Sequence, residues 1–506
     1  MEMMVYVSNV SKNIIFAQFM KRLLSTTAVY TFLALLQPVS SFLLLPLYTR
    51  YLSISDYSIL SLMNNFILFV SLTSSLSLSS AVTTFYYNYR HNPYRLGKFI
   101  GNIISFASLI NLGFLAVFIL GGTALFDLVY KSDEVLFFPY GMIAVITGLE
   151  INITKPYELL LKNDQQVKMF AIFNLLGFFI NVILQIYLVV YMQMGVTGSL
   201  IGRMISLTVL AGISLWKNRK DLVWKPDFRY IKKPLEFSVF YIPTLLINWL
   251  FSFGDRLVVD RLLDLKHVGI FSLLMTLVSL TELVFTSLGY VIQPFLFEAV
   301  YGREKDEAKA RQLYKFYLYI SMLVVSGSVL VIGNINLFFS KSDYLLIREY
   351  VFIGALSYFI FAISHIFFMN QFFNKNSKRI LEINIISVIL FLICSAVLTS
   401  LFGLWGTVYG ALIGKIILLA IYYLRSGNIL DKIPVKTILP PTIMFFLFLL
   451  CAEFLRFEFP YALQWIATLQ FPVLCLLILG TNFTLFREAF RNYYPKVLRQ
   501  TLRKGN

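Results

Sequence analysis

The sequence is poor in residues that build metal sites, disulfides or nucleophilic centres. It has only 3 cysteines and 3 histidines in 506 residues. Cys394, Cys451 and Cys475 each lie in or at the end of an apolar stretch, so we expect buried small side chains rather than a disulfide framework. The histidines are scattered, and no H-E-x-x-H or C-x-x-C spacing occurs. We therefore expect neither a metal nor a cofactor.

Signatures of known hydrolases are also missing. The chain has no G-x-x-x-x-G-K-[ST] loop and no G-x-S-x-G elbow. Its first residues lack the basic cluster, short apolar core and cleavage site of a secretory signal, so we expect insertion through the first membrane span. The segments predicted to lie outside the membrane are too short for an acceptor-binding domain. These absences favour a transporter over an enzyme.

Charged residues are scarce, and apolar residues fill their place. Charged residues make up 14% of the chain and hydrophobic residues 58%, whereas soluble domains have about 25% and about 45–50%. This composition predicts an all-α polytopic membrane protein. Fourteen apolar runs are each long enough for a spanning helix of about 20 residues, at about 24–46, 57–82, 99–121, 135–154, 168–191, 196–216, 235–254, 267–295, 313–339, 350–373, 380–401, 404–424, 435–455 and 461–483.

The basic residues are placed on one side of this array. The formal net charge is +17, which in a soluble protein would suggest nucleic acid as a partner. Here roughly three-quarters of the lysines and arginines fall in the two terminal segments and in alternate gaps between runs, as expected of cytoplasmic loops. We predict that both termini are cytoplasmic. The bilayer, rather than nucleic acid, is then the partner of these basic segments, which also contact anionic lipid.

The chain resembles itself in two halves. RYLSISDYSILSL at 50–62 is similar to RLLDLKHVGIFSL at 261–273, and LIGR at 200–203 is similar to LIGK at 412–415, at nearly equal offsets. Six spans per repeat is an even number, so the two halves have parallel topology. We predict an N-terminal lobe at 1–216, a cytoplasmic linker at 217–234, a C-terminal lobe at 235–424, and two further spans with a basic cytoplasmic tail at 425–506.

Charges inside apolar runs are the candidate functional residues. Lys415 and its repeat counterpart Arg203 lie within predicted spans, where a charge costs several kcal/mol unless it faces a wet cavity or a partner. They predict either a cationic cavity or locally paired, snorkelling side chains. Glu150 and Glu282 also fall in or beside spans. They are candidates for coupling to a proton or cation, and structural pairing is the alternative.

A charged segment, DRLVVDRLLD, occupies residues 255–264. Arg256, Asp260 and Asp264 follow one another at i, i+4 spacing, which indicates a charge-paired helix end at the outer surface. The alternative is a basic mouth whose guanidinium groups bind phosphate. Asp255 and Asp260 are two further candidates for ion coupling.

Three features together carry a family resemblance. These are LPLYTRYLSISDYSILSL at 45–62, the Asp255–Arg256 pair that opens 255–273, and the fourteen-span, two-lobed layout. With them the sequence resembles the polysaccharide flippases of the multidrug/oligosaccharidyl-lipid/polysaccharide exporter superfamily. The resemblance implies two six-helix lobes around a cavity that opens alternately to each side of the bacterial inner membrane.

The resemblance also implies a substrate and roles for the charged residues. The substrate would be an undecaprenyl-diphosphate-linked oligosaccharide, moved from the cytoplasmic to the outer leaflet, with polysaccharide polymerase machinery as a further partner. On this interpretation Lys415 and Arg203 attract the diphosphate, and Arg50, Arg256 and Arg261 lie near the outer mouth.

Departures from relatives leave alternatives open. Residues 24–46 contain no arginine, which argues against a peptidoglycan precursor as substrate, because lipid II flippases carry arginines in this span. They contain no Asp or Glu either, whereas the multidrug branch commonly has a coupling carboxylate there. An ion-coupled multidrug exporter, a membrane polysaccharide polymerase or ligase, and a structural component of a sugar-assembly complex remain as alternatives. The sugar repeat, the coupling ion and the oligomeric state stay open.

Overall fold

The computed structural model describes residues 42–301, 307–333, 341–373 and 377–425, together with residues 33, 36, 40, 442, 443 and 445. Within these residues the chain is helical and contains no strand. Most of the predicted span at about 24–46, the predicted spans at about 435–455 and 461–483, Cys451, Cys475 and the basic tail lie outside the described residues.

The helices follow one another through short connections. Ten helices in the described ranges are long and apolar enough to cross a membrane, which confirms the prediction of an all-α polytopic membrane protein. In chain order the helices are α1 Leu45–Tyr51, α2 Ile54–Ser74, α3 Leu78–Tyr89, α4 Pro93–Val129, α5 Met142–Asn163, α6 Val167–Ile186, α7 Gly195–Asn218, α8 Phe228–Leu262, α9 Leu265–Tyr301, α10 Glu307–Gly333, α11 Val351–Phe373 and α12 Ser377–Leu424.

Local sequence fixes several helix starts. The side chain of Ser53 accepts the backbone N–H of Asp56 at 3.0 Å, and the Asp56 carboxylate accepts the backbone N–H of Ser53 at 3.0 Å, forming a capping box before α2. In the repeat-equivalent position before α9, the Asp264 carboxylate accepts the backbone N–H of His267 at 2.9 Å. The resemblance between residues 50–62 and 261–273 is therefore also a resemblance of helix caps.

The predicted run at 57–82 is interrupted. Helix α2 ends at Ser74 and α3 begins at Leu78, and Leu76 and Ser77 between them have positive φ values of 43° and 56°. The hydroxyl of Ser75 accepts the backbone N–H of Ser77 at 3.1 Å. Serine side chains compete for backbone hydrogen bonds, so this serine-rich stretch forms a turn inside the span.

Two hairpins repeat between the halves of the chain. Helix α12 turns at Gly403, where φ is 60°, giving two arms that match the predicted runs at about 380–401 and 404–424. The arms pack closely, because a Cβ on Gly410 would lie 2.8 Å from the Cα of Ser395. Helices α6 and α7 form the corresponding hairpin, in which a Cβ on Gly202 would lie 3.1 Å from the backbone nitrogen of Gln185. GVTGSLIGR at 195–203 and TVYGALIGK at 407–415 thus occupy equivalent arms.

The two halves contact each other at the predicted outer end. Helix α2 packs against α9, and the Ser58 hydroxyl donates to the carbonyl oxygen of Leu265. The Tyr344 hydroxyl donates to the carbonyl oxygens of Leu52 and Ser53 at 3.2 and 2.8 Å. These contacts join the two halves at this end of the molecule.

Helix α8 bridges the halves. Near its start, the Ser238 hydroxyl donates to the carbonyl oxygen of Ser77 at 3.1 Å, so this part packs on the first half. Near its end, Gly254 lies against Leu392, and this part packs on α12. Cys394 lies close to the latter contact and is half-buried rather than fully buried.

Candidate functional site

Lys415 lies on the second arm of α12 and contacts two residues of α11. It is only 9% exposed. Its ammonium group donates to the hydroxyl of Ser357 at 3.1 Å, and Nζ lies 3.4 Å from the centroid of the Tyr358 ring. A cation over an aromatic face is attracted by the ring quadrupole, and the attraction is strongest where water is excluded. Sequence reasoning missed Ser357 and Tyr358, because a serine and a tyrosine in an apolar run carry no distinguishing signal.

Three further charged residues on α8 and α9 interact electrostatically with Lys415 without forming a salt bridge to it. The Arg256 guanidinium lies 3.3 Å from the Asp255 carboxylate, and both residues are buried. Lys415 interacts electrostatically with Asp255 and with Glu282 on α9. We call Asp255, Arg256, Glu282 and Lys415 the charge cluster. It joins three helices of the second half, and its two cations and two carboxylates give a formal charge of zero.

The Arg256 guanidinium is hydrogen-bonded through one nitrogen, Nη1, and has an unpartnered donor at another, Nε. Its Nη1 donates to the Ser252 carbonyl oxygen at 2.9 Å as well as to Asp255, and its guanidinium carbon lies 5.1 Å from the centroid of the Phe253 ring. Its buried Nε has no hydrogen-bond partner among the described residues. The Nε–H donor therefore remains for a further acceptor.

Arg203 has a different environment in the first half. It is half-buried on α7, and its guanidinium donates to the side-chain oxygen of Asn64 on α2. One turn earlier, the Ser199 hydroxyl donates to Gln185 at 2.8 Å and to Tyr48 at 3.1 Å. Within the described ranges, Arg203 forms no salt bridge. Lys415 forms no salt bridge there either, but unlike Arg203 it interacts electrostatically with two carboxylates, Asp255 and Glu282.

The interpretation of residues 255–264 as a charge-paired helix end at the outer surface is wrong for two of its residues. Arg256 and Asp260 are 5% and 2% exposed, and Arg256 pairs with adjacent Asp255 rather than with Asp260. One Asp260 oxygen accepts the backbone N–H of Lys131 at 2.9 Å, and its other oxygen is buried without a partner among the described residues. The loop that contains Lys131 covers this face of α8, an arrangement that helical spacing does not reveal.

The other predicted arginines lie apart from the charge cluster. Arg50 and Arg261 are exposed at the ends of α1 and α8. Arg261 lines an open cavity of about 640 Å³ at the predicted outer end, together with Asp127, Lys131 and Asp133. The structure therefore brings Arg256 to Lys415 and leaves Arg50 and Arg261 at the periphery.

Glu150 is the remaining predicted carboxylate. It lies half-buried on α5, where one of its oxygens accepts the Thr208 hydroxyl of α7 at 2.6 Å. Its second oxygen is buried and has no partner among the described residues. Unlike Asp255, which pairs with Arg256, Glu150 forms no salt bridge within the described ranges.

Comparison with known proteins identifies the family. Residues 47–332, more than half of the chain, match the family model described as polysaccharide biosynthesis protein. The chain belongs to this polysaccharide biosynthesis protein family. The family resemblance inferred from the sequence is thereby confirmed. No curated protein sequence matches the chain.

Several solved structures of membrane transporters are similar to the chain. The lipid II flippase MurJ in an inward closed conformation matches with a TM-score of 0.67 and 16% identity, over 90% of this chain and 99% of that chain. A multidrug resistance MATE family transporter of the MOP superfamily matches in its inward-facing conformation with a TM-score of 0.63 and 13% identity, over 78% and 93%. Its outward-facing conformation matches with a TM-score of 0.50 and 14% identity, over 80% and 95%. The chain therefore has the fold of these transporters.

Proposed function

We propose that this protein flips undecaprenyl-diphosphate-linked oligosaccharides from the cytoplasmic to the outer leaflet of the bacterial inner membrane during cell-surface polysaccharide synthesis. The observation that carries this proposal is a pair of cations at one repeated position. Arg203 and Lys415 each follow a G-x-x-x-G packing segment on the second arm of a hairpin, one in each half. Membership of the polysaccharide biosynthesis protein family supports the sugar-linked substrate.

The physical reason is the charge of the substrate. A diphosphate and its sugars cannot cross about 30 Å of hydrocarbon without a substitute for their water. Arginine and lysine form strong charge-assisted hydrogen bonds with phosphate oxygens. In this proposal Lys415, Arg256 and Arg203 receive the diphosphate, and Arg50 and Arg261 attract it at the outer mouth. The lipid tail stays in the bilayer.

Alternating access is the mechanism that the fold supports. We propose that residues 1–216 and 235–424 act as two lobes, connected by a cytoplasmic linker at 217–234. Contacts of Ser58 with Leu265 and of Tyr344 with Leu52 hold the predicted outer end closed. Rocking of one lobe against the other would break these contacts and open the site outward, and α8, which packs on both halves, would bend.

Among the carboxylates, Glu150 is the best candidate for coupling to an imported cation or proton. Its second oxygen is buried and has no partner among the described residues, so this oxygen offers an unused lone pair to a proton or cation. Asp255 and Glu282 are less suitable, because Asp255 is paired with Arg256 and Glu282 interacts electrostatically with Lys415. Asp260 has one unused oxygen but lies against the Lys131 loop, which suits a role in closure.

Reconstitution tests the proposed function. Purified protein in liposomes is given undecaprenyl-diphosphate-linked disaccharide in both leaflets, and an impermeant sugar-oxidising enzyme then modifies only the outer leaflet. We expect the protein to expose the inner pool within minutes, whereas empty liposomes leave about half protected. New glycosidic bonds would instead support the polymerase alternative. Export of cationic dyes without movement of the lipid-linked sugar would support a multidrug exporter.

A further inference from the structure

A row of aromatic rings joins α8 to α2. Trp249 and Phe253 are one helical turn apart on α8, with ring centroids 6.5 Å apart, and the Trp249 ring lies 5.1 Å from the ring of Phe69 on α2. We call Phe69, Trp249 and Phe253 the aromatic strip. All three side chains are half-buried, whereas core phenylalanines such as Phe99 and Phe271 are fully buried. The strip therefore borders a space that the described residues do not fill.

A cation accompanies the aromatic strip on each helix. On α8, the guanidinium carbon of Arg256 lies 5.1 Å from the centroid of the strip's phenylalanine ring. On α2, the indole Nε1 of Trp249 donates to the backbone carbonyl oxygen of Asn65 at 3.1 Å. The side chain of adjacent Asn64 accepts a hydrogen bond from the Arg203 guanidinium. The strip therefore runs from a cation on α8 to the part of α2 that binds Arg203.

Trp249 occupies an unusual position for a tryptophan. It lies in the interior of the candidate span Ile242–Leu262, whereas tryptophan in membrane proteins is enriched at the two interfaces. Its hydrogen bond to Asn65 satisfies the indole N–H and orients the ring without burying it. Hydrocarbon is an unfavourable neighbour for this ring, because the guanidinium groups of Arg203 and Arg256 flank the strip.

We propose that the aromatic strip is the platform on which a sugar ring of the substrate stacks, with Trp249 as its main contact, while the flanking arginines bind the diphosphate. This inference rests on the proposed function and names the residues that recognise the sugar. The C–H face of a pyranose ring is apolar and packs on aromatic rings, which offer a large rigid apolar surface. Aromatic walls with a few well-placed polar groups are typical of sites for small ligands.

The location of the aromatic strip matches the order of groups in the substrate. The diphosphate and the first sugar are adjacent in the lipid, and the guanidinium groups and the rings are adjacent in the protein. Phe69 belongs to the first half, whereas Phe253 lies on α8, which also packs on α12, so a stacked sugar contacts both halves. Cations alone would accept any lipid diphosphate. Stacking therefore distinguishes the sugar-loaded carrier from the bare one.

The test compares lipids with and without sugar. Purified wild-type protein and the Trp249→Ala variant in nanodiscs are titrated with undecaprenyl diphosphate, and separately with undecaprenyl diphosphate that carries one N-acetylglucosamine residue. We expect the wild type to bind the glycosylated lipid roughly tenfold more tightly than the bare lipid. Trp249→Ala should lose most of this preference, with a much smaller change in its affinity for the bare lipid. Trp216→Ala is the matched control, because Trp216 is exposed near the end of α7, and it should keep the wild-type preference.

Two further variants keep the outcome decisive. Trp249→Phe keeps a ring but loses the indole N–H, and it should retain part of the preference for the glycosylated lipid. Phe69→Leu keeps an apolar side chain but loses a ring, and it should weaken the preference, including when Trp249→Ala folds poorly. Equal affinities of the wild type for the two lipids overturn the inference, as does equal weakening of both lipids by Trp249→Ala, which indicates a structural role. A wild type that binds neither lipid and flips neither would instead overturn the proposed function.

Discussion

Replacing Lys415 alone, and then together with Glu282, separates the contribution of the lysine to stability from its contribution to transport. Lys415→Ala alone leaves one cation and two carboxylates in the charge cluster, so its formal charge falls from zero to −1. Leaving a buried charge uncompensated in this way costs up to about 3–5 kcal/mol. The variant also lacks the hydrogen bond from the lysine to Ser357 and the contact of the lysine with the Tyr358 ring. We expect the single variant to be less abundant in the membrane and to melt at a lower temperature.

The double variant Lys415→Ala with Glu282→Gln restores a neutral cluster. It should recover most of the lost abundance, because no buried charge is then left without a counter-ion. Transport should not recover. A hydrogen bond to a charged group contributes about 1.5–3 kcal/mol, so diphosphate affinity should fall by about 10-fold to 150-fold.

The assay measures two quantities on the same preparations. Membrane abundance comes from quantitative immunoblotting, and transport comes from the flipping rate per molecule in liposomes. Lys415→Arg, which keeps the positive charge, serves as the control and should retain partial flipping. A double variant that is as abundant as the wild type and flips at the wild-type rate would refute a role for Lys415 in binding.

Three further predictions follow from packing and from the closed outer end. Gly410→Ala should lower the free energy of unfolding by about 1–3 kcal/mol, because its Cβ would lie 2.8 Å from the backbone of Ser395. Gly212→Ala should be neutral or stabilising by about 0.5–1 kcal/mol, because no atom lies within 4 Å of its Cβ. Equal shifts in melting temperature for the two variants would contradict this prediction. Tyr344→Phe removes hydrogen bonds at the outer end that contribute about 1 kcal/mol. Distances between spin labels placed across that end should then show a larger fraction of open molecules. An unchanged distance distribution would argue against closure by this residue. Arg203→Ala should reduce flipping more than Arg203→Lys does, and equal rates for both variants would remove the charge at this position from the mechanism.

The membrane helices could be predicted from the sequence because hydropathy is a local property. The described residues of the predicted runs from about 57 to 424 are almost entirely helical, and the similarity of LIGR to LIGK marks the equivalent arms of two hairpins. The interruption at Leu76 and Ser77 escaped prediction because serine hydroxyls act on the backbone there. Hydropathy averaged over a run does not detect such a turn.

The surroundings of the charged residues could not be predicted in the same way. The spacing of Arg256, Asp260 and Asp264 suggested exposed pairs, but Asp260 is buried against the Lys131 loop and Arg256 is buried beside Asp255. Lys415 was recognised as a buried cation from its position alone. Its contacts with Ser357 and Tyr358 come from another helix, more than fifty residues away in sequence, which local patterns do not report.

The most direct test of the central claim is the sidedness of lipid-linked oligosaccharide in cells depleted of this protein. An impermeant sugar-modifying probe reports the pool in the outer leaflet, and re-expression provides the control. The account predicts that the lipid-linked sugar accumulates in the cytoplasmic leaflet, and that the wild type restores the outer pool whereas Lys415→Ala with Glu282→Gln does not. An outer-leaflet pool that stays normal during depletion would contradict it.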